Sequence, residues 1–397
     1  APMAPRQRVP SAPGIVVLVS VDGLPADLLG TGAMPTLDAL ASEGVRAEWM
    51  RPNFPTLTFP NHYTLVTGLR PGHHGIVHNN MRDDSLGRYI SKEESSATDG
   101  RWWGGEPIWA TLQKQGGIAA TMFWPGSEAQ IAGERPRHRR RFDANVTPEA
   151  RADQLLAWLD LPEAERPRLL TVYFEHYDVA AHHAGTRSAL AMGALRRLDD
   201  AIARLREGLR ARGMLERIDL IVVSDHGMAD VPREQRVWLE DVLDTQFYET
   251  EWWGTLLGLR PRPGQTDAVE RAFLGAHPHF DCWRSDALPA QWRFGRHPRM
   301  PPIVCQVHTG WRVQSRQHHV YEQAVKGEHG FAADDPSMRA VFVANGPSFR
   351  SGTTIPAFEN VDLYPLLAHL LAIEPAANDG ALTPLLPALR SQQRSTR

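Results

Sequence analysis

The run Ile15-Val16-Val17-Leu18-Val19-Ser20 is apolar without alternation, and it stops abruptly at Asp22-Gly23. A strand that shows water neither face reads this way, which places it inside a sheet covered on both sides. Further runs of the same kind stand at Ile118–Phe123, Leu169–Phe174, Ile218–Ser224 and Arg339–Ala344. Between them the period changes to that of helices, over Pro35–Glu43 (closed by Gly44), Pro107–Gln115, Pro148–Leu159, Ser188–Arg212 and Val361–Leu371. This alternation predicts an α/β fold, with a mostly parallel central sheet and helices on both faces.

With 397 residues, of which 42% are hydrophobic and 22% charged, the chain has ample material for a core and is neither disordered nor fibrous in composition. Its 43 basic and 46 acidic residues leave a formal charge of −3, which argues against a partner such as duplex nucleic acid. The longest apolar stretches, Gly14–Val21 and Leu366–Ile373, fall well short of the ~18–20 residues of a membrane span. Residues 1–13 form a Pro-rich arm beginning Ala1-Pro2, the start of a mature exported protein without its signal peptide or, equally, of a trimmed chain. The α/β pattern occupies residues 14–235 and 329–397. Residues 236–328, rich in Trp, Pro and His, read as a small inserted, loop-rich subdomain. Both cysteines, Cys282 and Cys305, lie in it, too few for a zinc finger or iron–sulfur cluster. They read as a disulfide stapling the insertion or as two buried free thiols.

The chemistry-bearing residues gather where strands end. Asp22 follows the first strand, Asp178 comes just after Leu169–Phe174, and Asp225-His226 closes Ile218–Ser224. Parallel strands end on one edge of their sheet, where open α/β folds place their ligand crevice. Asp178 and His182 are four residues apart, so a helical turn puts them on one face, with His183 the competing choice. His329, in Gly327-Glu328-His329-Gly330, offers a further nitrogen. Asp and His ligands without cysteine suit a catalytic zinc. Thr58 precedes Pro60 at the start of a short helix, where it reads either as a plain N-cap or as a nucleophile beside a cation and the helix N-terminus.

Taken in order, Ser20-Val21-Asp22-Gly23, Thr58-Phe59-Pro60-Asn61-His62-Tyr63, Thr67-Gly68-Leu69, His74-Gly75-Ile76, Trp124-Pro125-Gly126-Ser127-Glu128, Val223-Ser224-Asp225-His226-Gly227-Met228 and Asn378-Asp379-Gly380 span nearly the whole chain. This set resembles the nucleotide pyrophosphatase/phosphodiesterases of the alkaline phosphatase superfamily, closest to their bacterial secreted members. The resemblance implies two zinc ions, one on Asp178, His182 and His329, the other on Asp22, Thr58, Asp225 and His226. It makes Thr58 the nucleophile and Asn79 a hydrogen-bond donor to a phosphate oxygen. Phe59 and Phe142 align with rings that stack on a nucleobase. The implied activity is hydrolysis of phosphodiester and pyrophosphate bonds of nucleotides through a phosphothreonyl enzyme, releasing nucleoside 5′-monophosphates, in the periplasm or outside the cell. A choline-phosphodiester or lysophospholipid phosphodiesterase on the same metal site is the alternative. The family pattern is broken at Ala181 and Ala184, where glycine and histidine are usual.

Overall fold

The computed structural model describes residues 14–318 and 325–391; the Pro-rich arm of residues 1–13 lies outside the described residues. Eight strands form the central sheet: β1 (Ile15–Val21), β2 (Val45–Ala47), β3 (Ala119–Met122), β4 (His138–Arg140), β5 (Leu169–Phe174), β6 (Ile218–Val223), β7 (Phe342–Asn345) and β8 (Thr353–Ile355). Their order across the sheet is β8-β2-β7-β6-β1-β5-β3-β4. All neighbouring pairs are parallel except those of β7, which runs antiparallel to β6 and β2. The run expected from Arg339 therefore starts later and points the other way. Arg339 follows a 3-10 turn and Ala340 bridges to Met50 before pairing with β6 begins.

Every residue of β1 is buried. Val17 and Val19 pack toward one layer, with α1 (Pro35–Glu43), α4 (Pro148–Leu159) and α6 (Ala189–Ala211). Val16 and Leu18 pack toward the other, with α2 (Thr58–Thr67), α3 (Ile108–Lys114) and α7 (Leu363–Leu371). Alternate residues of one strand thus feed two cores, which is why the run shows no polar period.

Residues 236–328 are more regular than their composition predicts. Tyr248–Trp252, Leu256–Pro261, Ile303–Val307, Phe280–Arg284 and Gly275–Ala276 form a five-stranded antiparallel sheet, in that order. It carries its own buried cluster, including Leu257, Leu259, Phe273, Phe280, Ile303 and Val307. Cys282 faces Cys305 across two of its strands, and the two form a disulfide.

Candidate active site

β6, β1 and β5 are adjacent and parallel, so their C-terminal exits lie side by side on one edge. β1 delivers Asp22, β6 delivers Asp225 and His226, and β5 leads into α5 (His176–Ala184), which carries Asp178 and His182 one turn apart. His182 Nε2 lies 3.3 Å from Asp178 Oδ2, whereas His183 is exposed and outside the group. His329 arrives from the loop before β7, with its Nε2 3.4 Å from Asp178 Oδ1 and its ring stacked on His226 at 3.6 Å. His226 Nε2 in turn lies 2.9 Å from Asp225 Oδ2 and 3.4 Å from Asp22 Oδ1.

The three histidines share one arrangement. Nδ1–H of His182 donates to Gly327 O, that of His226 to Gly227 O, and that of His329 to Thr56 O, at 2.8–2.9 Å. Each ring is thereby turned so that its Nε2 faces the carboxylates, the orientation of a metal-binding imidazole once that nitrogen gives up its proton to a cation. The carboxylates supply the complementary fact. Asp22 Oδ1, Asp178 Oδ1 and Asp225 Oδ2 are buried and accept no hydrogen bond among the described residues. Burial pushes Asp22 well above the usual carboxylate range, and Asp178 and Asp225 push it further. Burial also acts on Asp178, but His182 beside it outweighs that and holds it at about 2. Three buried carboxyl groups with unmet oxygens and three aimed imidazoles fit divalent cations.

Thr58 is not the N-cap expected from its type. Leu57 occupies that place without a side-chain cap, and Thr58 is the first residue of α2. Its Oγ1 instead lies 3.2 Å from His226 Nε2, at an end of the helix that favours anions. Asn79 Oδ1 accepts the Phe59 N–H at 2.9 Å, which leaves the Asn79 amide nitrogen to donate elsewhere. Phe59 packs on Tyr89 and Trp103. Phe142 is 47% exposed, with ring contacts to Phe123 at 5.3 Å and Tyr173 at 6.1 Å. It is no core residue.

Two residues join this group that the sequence reading left out. His62, one turn beyond Thr58 on α2, donates from Nδ1 to Thr58 O at 2.8 Å and takes a hydrogen bond at Nε2 from Ser20 Oγ at 2.7 Å. With both nitrogens engaged it braces Thr58 and Asp225, the latter 3.2 Å away. Its spacing of four from Thr58 was the available signal. Tyr173 donates its hydroxyl to Asp22 Oδ2 at 2.6 Å and so turns the other oxygen toward His226. No sequence signal marks it.

The family model for type I phosphodiesterase/nucleotide pyrophosphatase matches residues 16–332. Ectonucleotide pyrophosphatase/phosphodiesterase family member 3 of Bos taurus is 36% identical over 375 residues, covering 92% of this chain and 43% of its own length. A venom phosphodiesterase of Naja atra is 35% identical, covering 92% and 45%. The chain therefore spans less than half the length of these two relatives. An uncharacterised pyrophosphatase/phosphodiesterase of Schizosaccharomyces pombe is 33% identical, covering 96% of this chain and 81% of its own. Among solved structures, human ectonucleotide pyrophosphatase/phosphodiesterase 5 is 30% identical with a TM-score of 0.90, covering 95% of this chain and all of that one. An inactivated murine counterpart in complex with AMP is 28% identical with a TM-score of 0.90, covering 96% of this chain and all of that one. The chain belongs to the type I phosphodiesterase/nucleotide pyrophosphatase family.

Proposed function

We propose that the protein hydrolyses phosphodiester and pyrophosphate bonds of nucleotides and their derivatives, releasing nucleoside 5′-monophosphates by way of a covalent link to Thr58. The observation that carries this reading is the convergence of three unmet carboxylate oxygens and three oriented imidazoles, one of which, His226, sets its Nε2 3.2 Å from the Thr58 hydroxyl. Asp178, His182 and His329 would hold one zinc ion; Asp22, Thr58, Asp225 and His226, linked through His226 Nε2 at 3.4, 3.2 and 2.9 Å respectively from the first three, would hold the other. Bound there, two cations would favour the alkoxide of Thr58 and neutralise the oxygens of the phosphoryl group. Their Asp/His donors, without cysteine, suit catalytic zinc.

The chain's own residues do the rest. Thr58 Oγ1 forms a bond to phosphorus while the bond to the leaving oxygen breaks, with His62 fixing the Thr58 carbonyl and the first turn of α2. Asn79, oriented by Phe59 N–H, donates its amide hydrogen to a phosphoryl oxygen. Water then cleaves the threonine–phosphorus bond and frees the nucleotide. Phe59 and Phe142 supply aromatic faces to the base, a mode of binding that tolerates any base. The AMP held by the murine relative supports a nucleoside monophosphate as product. The disulfide supports an oxidising compartment, periplasmic or extracellular. Initial rates on a nucleotide diester, ATP, a nucleoside monophosphate and glycerophosphocholine, with metal content measured in parallel, test the reading. Faster turnover of glycerophosphocholine than of any nucleotide would replace it with the choline-phosphodiester alternative.

A further inference from the structure

Of the segment Gly327-Glu328-His329-Gly330, the proposed chemistry uses only His329. The Glu328 carboxylate lies behind His182. Its Oε1 is 3.1 Å from His182 Nδ1, across the ring from the Nε2 that meets Asp178, and its Oε2 is 3.2 Å from Arg312 Nε. Glu328 has only 15% of its side chain exposed and Arg312 is buried, so water competes little for either. The backbone here is fixed from two sides. Gly327 and Glu328 pair antiparallel with Asp230 and Ala229, and Lys326 N–H donates to His182 O at 2.8 Å. A Cβ on Gly327 would come 2.3 Å from Ala181 O, so only glycine lets this strand lie against α5.

The three ligand histidines differ in what stands behind them. The outer nitrogens of His226 and His329 meet backbone carbonyls, Gly227 O and Thr56 O. That of His182 meets Gly327 O at 2.8 Å and a carboxylate as well. The two ligand sets also differ in charge. Asp178, His182 and His329 bring one carboxylate to a dication, whereas the set built on His226 brings two, Asp22 and Asp225. Glu328 adds a carboxylate to the poorer set from behind His182. Arg312, placed on the other oxygen, leaves Oε1 as the one that faces the ring. A carboxylate on the outer nitrogen of a ligand histidine fixes the ring and strengthens its hold on the metal.

We propose that Glu328 is a positioning residue of the zinc site formed by Asp178, His182 and His329, fixing the His182 ring through Nδ1 and lending that site the negative charge it lacks. The inference rests on the zinc assignment in the proposed function and deepens it, by making one of the two sites depend on a residue outside either ligand set.

The test is a zinc titration of the metal-free protein in competition with a chromogenic chelator, with no nucleotide present. Glu328→Gln, which keeps the shape and removes the charge, should weaken one of the two zinc equivalents by about ten- to a hundredfold and leave the other unchanged. The weakened equivalent should be the one lost in His182→Ala, and the cobalt-loaded variant should show an altered d–d absorption for that site alone. Because Glu328→Gln strands the buried Arg312, Glu328→Gln/Arg312→Gln is titrated beside it. The double variant should stay weak. Full affinity in the double variant would trace the loss to the stranded guanidinium and overturn the proposal. Unchanged affinity in Glu328→Gln, or weakening not confined to that one equivalent, would overturn it too. Fewer than two zinc ions bound by the unaltered protein would instead overturn the zinc assignment itself.

Discussion

Under the proposed function, Phe142→Ala should separate base recognition from both folding and catalysis. Close to half of the ring is in solvent, and its buried edge rests on Phe123 and Tyr173. Full burial of a phenylalanine is worth about 1.5–3 kcal/mol, so truncating this ring should cost about 1 kcal/mol of stability. In a chain of this size that is a Tm shift of about 2 °C. Stacking on a base is worth about 1–3 kcal/mol, which becomes a loss of about 5- to 150-fold in kcat/KM. The assay is kcat/KM on the p-nitrophenyl ester of thymidine 5′-monophosphate beside that on methyl p-nitrophenyl phosphate, which has no base. The first should fall within that range and the second by less than about twofold. Equal losses on both would mean that the ring serves the reacting centre, through Tyr173 and Asp22, and would refute base stacking.

Chelation should abolish activity and zinc should restore it best; Asp178→Ala or His329→Ala should lose one metal equivalent by elemental analysis and Asp225→Ala the other, while full activity of a verified metal-free protein would contradict this. Arg151 is fully buried against Glu175 at 2.6 and 3.0 Å and over the Phe123 ring, so Arg151→Ala should cost about 3–5 kcal/mol and shift the urea midpoint accordingly. The Arg299 guanidinium, 2.8 Å from Asp83, holds that carboxyl well below the usual range. A depressed folded value stabilises above the unfolded value of about 3.9 and is lost as pH falls below it, so Asp83→Asn should lower the Tm at pH 7 and flatten its decline below about pH 4.

What could be read in advance follows from where the determining forces act. β1, β5 and β6 are buried on both faces, so their predominantly apolar runs, interrupted only by Ser20, Thr171 and Asp219, mark them, and the acids at their ends fall on one edge by the geometry of parallel strands. Asp178 and His182 meet because a helix returns every four residues to the same face. Of the two readings of Thr58, the cap fails because capping preference is local, whereas its hydroxyl answers to His226, 168 residues away. Tyr173 is silent for a related reason. Inside a strand buried throughout, no period distinguishes a tyrosine that reaches Asp22 across the neighbouring strand from one that fills space. In the insertion, strands of five or six residues broken by Pro and Trp gave too short a period to register, although they close over a core of their own.

The central claim is that Thr58 becomes covalently bound to phosphorus, and the stereochemical course at phosphorus tests it most directly. A nucleotide diester made chiral with sulfur, hydrolysed in ¹⁸O-water, yields a thiophosphate whose configuration can be assigned. Two displacements, first by Thr58 and then by water, each invert the centre, so the expected result is net retention. Net inversion would mean that water attacks the diester directly and that Thr58 is not the nucleophile.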